Sequence, residues 1–202
     1  MKEGLLFILS GPSGAGKGTI CREILKRNNA EISVSMTTRE KREGEIEGKH
    51  YYFVSEDEFK EKIENDALLE YACVYGNYYA TPREPVMEKL CKGIDVILEI
   101  DIQGALKVKE ACPEGIFIFI LPPSMSELRK RIIGRGSETE DSIKCRMEES
   151  LKEISYIDKY DYCVVNGVLE EAADRVAAIM VAEHSRVREE IYEQIKGYEE
   201  EK

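Results

Sequence analysis

Residues 11–19 read GPSGAGKGT and follow the short apolar run Leu5–Leu9. They match the phosphate-cradling pattern G-x-x-x-x-G-K-[ST] at every defined position but the last. Gly18 stands where the pattern has a hydroxyl, and Thr19 comes one place later. Such a loop needs glycines because a β-carbon would block a phosphate and because the turn uses positive φ. The N–H groups of Gly14 to Thr19 converge on an anion at a helix N-terminus, where the dipole favours negative charge. Lys17 then reaches the β- and γ-phosphates. The residues of the whole loop (Gly11, Pro12, Ser13, Gly14, Ala15, Gly16, Lys17, Gly18 and Thr19) are therefore candidate nucleotide contacts. The apolar run before the loop reads as a strand buried on both faces. Ile20, Ile24 and Leu25 carry helical spacing after it. Strand, loop and helix together are the context the motif requires.

The same alternation continues. Val96–Asp101, Ile116–Leu121 and Tyr162–Asn166 read as further strands, with helical patterns at about 102–112, 124–134 and 168–198. Short apolar strands alternating with helices predict an α/β fold with a parallel sheet covered by helices on both faces. One domain is expected over 1–202, with its core at about 1–32, 84–130 and 152–202. Residues 33–83 differ, being polar and tyrosine-rich. Ser55-Glu56-Asp57-Glu58 is a capping box opening a helix to about Asn65, flanked by strand-like Tyr51–Val54 and Tyr78–Tyr79. That stretch reads as an α+β insertion. A second, arginine-bearing insertion at about 131–151 reads as a helical flap or lid.

Charge narrows the partners. With 29 basic and 40 acidic side chains the net charge is −11. An acidic surface repels a nucleic-acid backbone, so duplex binding is not expected. No apolar run is long enough to span a bilayer or to act as an export signal. The six cysteines form no C-x-x-C pair, and there are only two histidines, His50 and His184. Reduced thiols in a cytoplasmic protein are expected, without a structural zinc site.

Two acids close the second apolar strand. Asp101 stands where a carboxylate would face a magnesium ion, and Glu99 lies two residues earlier on the same face. Either could hold metal waters or a substrate hydroxyl. Without a hydroxyl at 18, Mg2+ is expected to be held by the ATP phosphates and waters near Asp101, with no direct protein ligand. The G-K-G-T ending resembles nucleoside monophosphate kinases, whose second substrate is itself a phosphate. Ser33–Arg42 offers an acceptor site of that kind. Arg39 and Arg42 follow a run of hydroxyls, and guanidinium forks grip phosphate bidentately. Tyr51 and Tyr79 would add neutral donors.

SVSMTTREKREGEIEGKHYYFVS, LLEYACVYGNYYATP, ILEIDIQG, RIIGRGSE and DYCVVN resemble, in order and spacing, the motifs of the guanylate kinases. The resemblance spans about residues 4–190. It implies a P-loop NTPase core, a GMP-binding insertion and a lid, with ATP and GMP (and dGMP) as substrates and Mg2+ accompanying ATP. It implies transfer of phosphate from ATP to GMP, giving ADP and GDP. Glu70 is then matched to guanine N1–H and N2–H2, and Ser35 and Thr81 to O6. Arg39, Arg42, Tyr51 and Tyr79 match the monophosphate grip, with Glu99 and Asp101 beside the acceptor. Arg131, Arg135 and Arg146 match arginines that close over the ATP phosphates, acting with Lys17 and Asp101. Asn166 matches a contact to the ATP adenine. Ala80 stands where many relatives carry glycine, and is expected to be strained if positive φ is needed there. Two other readings compete: a silent interaction module of the same fold, and a kinase with another acceptor. The intact Lys17, Asp101 and flap arginines oppose the first, and Glu70 with Ser35 and Thr81 opposes the second.

Overall fold

The computed structural model describes residues 3–26, 30–74, 76–134 and 140–200. The first strand, β1 (Leu6–Ser10), runs up the middle of a five-stranded parallel sheet. Its neighbours are β7 (Asp95–Glu99) and β8 (Ile116–Leu121), flanked by β2 (Ala30–Ile32) and β9 (Tyr162–Val165). Alternation along β1 divides the core in two. Phe7 and Leu9 point to one face and pack with Ile20 and Ile24 of α1 (Lys17–Leu25) and Val176 of α7 (Leu169–Glu183). Leu6 and Ile8 point to the other, against Val86 of α3 (Arg83–Cys91) and Val108 of α4 (Ile102–Ala111). Both faces are thus covered, as the unbroken apolar strands require.

A second sheet forms from residues 35–82. Its order is β4 (Tyr51–Phe53), β3 (Ser35–Thr37), β6 (Asn77–Pro82) and β5 (Leu68–Val74). α2 (Glu56–Glu64) begins with the full capping box, the Ser55 hydroxyl accepting from Glu58 N and the Glu58 carboxylate from Ser55 N. Phe59 of α2 packs with Met36, Leu68 and Ala80 in a separate small core. Ala80 is buried in β6 and does not adopt positive φ; among the described residues Asp66 is the one non-glycine that does. The expected strain at Ala80 is therefore absent, because an ordinary strand needs no glycine there.

Leu128 and Ile132 of α5 (Met125–Ile133) pack with Ile143 of α6 (Glu140–Ile154), and the stretch read as a flap, about 131–151, takes in the end of the first helix and most of the second. The helix expected over 168–198 is two helices, α7 and α8 (Glu189–Glu200). The chain turns between them so that Arg188 meets the buried Glu183 carboxylate at 3.1 Å, which also accepts from Tyr162 Oη at 2.5 Å. All six cysteines are unpaired. No described helix is long and apolar enough to cross a membrane.

Candidate active site

The glycine loop leaves the C-terminal end of β1, the edge where ligands bind in open parallel sheets. Gly16 sits in a left-handed conformation at φ 94° and forms the N-cap of α1. A β-carbon there would lie 2.4 Å from Asn166 Nδ2, so glycine is required on both counts. Asn166 is buried and donates through Nδ2 to Ala15 O at 2.7 Å. Arg131, in the last turn of α5, donates to Asn166 O at 3.0 Å and to Ala15 O at 3.5 Å, and Glu127 anchors its Nε at 3.2 Å. Asn166 and Arg131 thus brace the loop from outside. Lys17 Nζ folds back onto Gly11 O at 2.5 Å and Pro12 O at 3.3 Å. A lysine so held lies at the loop mouth, next to any phosphate the loop takes.

Leu9 pairs with Glu99 across the sheet, which brings the acid level with the loop. A β-carbon at 18 would lie 3.0 Å from Glu99 Oε1. The missing hydroxyl is therefore matched by a carboxylate from the neighbouring strand. Asp101 caps α4, accepting from Gly104 N at 2.9 Å. No group of three or more acidic, histidine or cysteine side chains that could hold a metal exists among the described residues. Glu99 and Asp101 are carboxylates that could hold waters of a magnesium ion bound to nucleotide phosphates.

Beside these acids a cleft of about 330 Å3 opens between the two sheets. Ser35, Tyr51, Glu70, Tyr79, Glu99 and Asp101 line it. A β-bulge between Leu68 and Glu70 makes this possible. It sends Leu69 into the main core with Leu98 and Ala105, while Glu70 turns to the cleft. Glu70 is only 6% exposed, and burial pushes its carboxyl up to about 7, with Asp101 adding repulsion and the Thr81 hydroxyl opposing. Thr81 stands behind this acid, fully buried, and donates to Glu70 Oε1 at 2.8 Å. Its proton is committed to the carboxylate, whereas Ser35 lies on the cleft itself.

The Arg39 guanidinium lies at the cleft's far end, 5.5 Å from the Tyr51 ring centroid and 5.8 Å from that of Phe53. It donates to Glu45 Oε1 at 2.7 Å, and the Tyr79 hydroxyl is bonded to it. Burial and the neighbouring Tyr79 hold the Tyr51 phenol above its ordinary value, so it is a proton donor. Arg42 is exposed; its backbone N donates to Glu45 Oε2 at 2.7 Å. Arg146 is half-buried on α6, and Arg135 lies outside the described residues.

Two functional neighbours carry no distinguishing mark in the sequence. Glu45 organises Arg39 and the Arg42 backbone, yet Glu43 and Glu47 flank it with equal claim. Gly104 sits against Glu70, where a β-carbon would lie 2.9 Å from Oε2. Its place in ILEIDIQG is the one signal that could have singled it out.

A family model for guanylate kinase matches residues 3–183. The guanylate kinase of Clostridium acetobutylicum is 61% identical over 186 residues, covering 92% of this chain and 89% of the relative. That of Caldanaerobacter subterraneus is 55% identical over 187 residues, covering 92% and 91%. The crystal structure of guanylate kinase from Anaplasma phagocytophilum superposes with a TM-score of 0.77 at 38% identity, covering 93% of this chain and 89% of that one.

Proposed function

This chain belongs to the guanylate kinase family, and we propose that it transfers the γ-phosphoryl group of ATP to GMP, releasing ADP and GDP. The observation that carries the reading is the buried Glu70 carboxylate, which lines a cleft whose Glu99 also lies against Gly18 of the phosphate loop. Guanine offers N1–H and N2–H2 as adjacent donors, which one ionised carboxylate accepts together. Adenine would set a lone pair at N1 against the same oxygens, and a buried polar mismatch discriminates by orders of magnitude. Ser35 is placed to donate to O6. At the far end Arg39, Tyr51 and Tyr79 supply donors for the monophosphate, with Arg42 added as the insertion closes.

Phosphoryl transfer asks for alignment and charge neutralisation more than covalent help. The loop N–H groups and Lys17 hold the ATP phosphates, and Arg131 and Arg146 approach from the flap. Glu99 and Asp101 lie between the two substrates and take the waters and hydroxyls there. Glu99 and Asp101 would hold the waters of a Mg2+ carried in with ATP, which would supply further charge neutralisation. The cleft between the sheets also has to exclude water, the competing acceptor, so closure of insertion and flap belongs to the reaction.

The test is ADP release from Mg-ATP with GMP, dGMP, AMP, CMP and UMP in parallel. Turnover confined to the guanine nucleotides is expected. Turnover with another acceptor would keep the kinase and discard the guanine site. Folded, GMP-binding protein without turnover would restore the interaction-module reading.

A further inference from the structure

Glu70 belongs to an edge strand. β5 ends the second sheet, with β6 on one side only. Besides the substrate cleft, Glu70 lines a second cavity of about 390 Å3, which it shares with Arg83 and Lys107. Thr81 and Gly104 hold the carboxylate end, but the strand that carries it has no neighbouring strand on its outer side to set its own position.

Two cations of the core reach across that gap. Arg83, the first residue of α3, donates from Nε to Asp66 O at 3.1 Å and from Nη2 to Leu68 O at 3.1 Å and Asp66 Oδ1 at 3.3 Å. Its own backbone N donates to Ala67 O at 2.9 Å. Lys107, on α4, donates from Nζ to Tyr71 O and stands 4.7 Å from the Tyr71 ring centroid. Leu68 and Tyr71 bracket the bulge that carries Glu70. The carbonyls on either side of the base-reading acid are thus each held by a charged donor anchored in the main core.

We infer that Arg83 and Lys107 are positioning residues for guanine selectivity, tethering the edge strand on both sides of Glu70. Neither touches substrate. Edge-strand carbonyls are ordinarily left to water or covered, and here the cover sets the placement of one side chain. The inference rests on the reading of Glu70 as the base contact. Lys107 serves a second purpose, since its charge opposes the upward push of burial on the Glu70 carboxyl.

The experiment compares GMP with inosine monophosphate, which keeps N1–H and O6 but lacks the 2-amino group. Their kcat/KM ratio reports how well Glu70 meets both donors. In Arg83→Ala with Lys107→Met, the ratio should narrow by about tenfold while KM for ATP stays unchanged. Arg83→Lys keeps the charge but cannot fork to two carbonyls, and should recover part of the ratio. It also carries the test if the double variant does not fold. An unchanged ratio overturns the inference. So does an equal loss for ATP and both acceptors with a lowered Tm, which marks a role in stability alone. Glu70→Gln separates the two layers. If it leaves the ratio intact, the base-contact reading fails, and this inference with it. If it collapses the ratio while the tether variants do not, the tethers alone are refuted.

Discussion

Thr81 Oγ1 donates to Glu70 Oε1 across 2.8 Å, with both residues buried. The pair spans β5 and β6, where Thr81 is the strand partner of Glu70. A hydroxyl so used orients the acid, and each carboxylate oxygen keeps a lone pair for one of guanine's two donors. Thr81→Val keeps the shape and removes the donor. A hydrogen bond to a charged group contributes roughly 1.5–3 kcal/mol, so kcat/KM for GMP should fall about 10- to 100-fold. Thr81→Ser should stay near wild type. Steady-state kinetics with GMP varied at saturating ATP checks both, and a wild-type Thr81→Val would show that Glu70 needs no orienting donor.

Glu70 gives the site a pH dependence whose sign follows from burial. Its carboxyl sits at about 7 against an ordinary 4.5. Guanine's paired donors need the ionised form, so KM for GMP should rise as pH falls through about 7, while KM for ATP does not follow. Stability without substrate runs the other way. Below 4.5 the group is neutral in both the folded and unfolded chain. As pH rises through 7, the folded state must ionise a buried acid that the unfolded chain ionises freely. The loss is about 3 kcal/mol at most. Glu70→Gln should therefore stabilise the protein at pH 8 and change little at pH 4 in urea melts. Stabilisation equal at both pH values would deny the raised carboxyl.

Lys17 rests on Gly11 O and Pro12 O, poised over the loop mouth. Lys17→Met keeps the stem and deletes the charge that would meet the transferring phosphoryl group. We expect kcat to drop by about 10³-fold or more, with GMP binding preserved because the acceptor cleft contains no part of Lys17. Calorimetric titration with GMP alongside turnover separates the two effects. Near-normal turnover would remove Lys17 from the chemistry.

The parallel core was legible because β1, β7, β8 and β9 each carry a run of consecutive apolar residues, and the loop after β1 has a pattern no ordinary turn needs. The acceptor side was legible only in part. β2 and β3 are three residues each, too short to show a period. α3 reads REPVMEKLC and buries little besides Val86, so it carries no apolar stripe. The break between α7 and α8 has no glycine or proline to mark it; it is accompanied by a local ion pair, Arg188 on Glu183, whose carboxylate is also met by Tyr162 from β9. In the site, Glu70 and Asp101 could be placed from their motifs. The division of labour between Thr81 and Ser35 could not, because it depends on the bulge that decides which side chain faces the cleft.

Gly18 bears on the loop's one departure from pattern. The nearest atoms to a β-carbon there belong to Glu99, at 3.0 and 3.1 Å, the end of a flexible side chain. Gly18→Ser should therefore fold with a slight shift of Glu99 and add a hydroxyl beside that carboxylate. Turnover should stay within about threefold of wild type, with an unchanged or lower magnesium requirement. A loss of 100-fold would mean that Glu99 needs the space that glycine leaves.

Gly104 makes the sharpest case, because local and tertiary preferences oppose each other there. It lies inside α4, where alanine would favour the helix by about 0.8–1 kcal/mol. Yet a β-carbon would stand 2.9 Å from Glu70 Oε2 and 3.2 Å from its Cδ. The carboxylate would have to move, and Thr81 holds its other oxygen. Gly104→Ala should thus raise KM for GMP about tenfold or more, leave KM for ATP alone, and change Tm little, since helix propensity offsets the crowding. Thermal unfolding and the two KM values, measured on one preparation, decide it. A stabilised protein with unaltered GMP kinetics would show that Glu70 has freedom to retreat, and that its placement is less strict than the packing around it indicates.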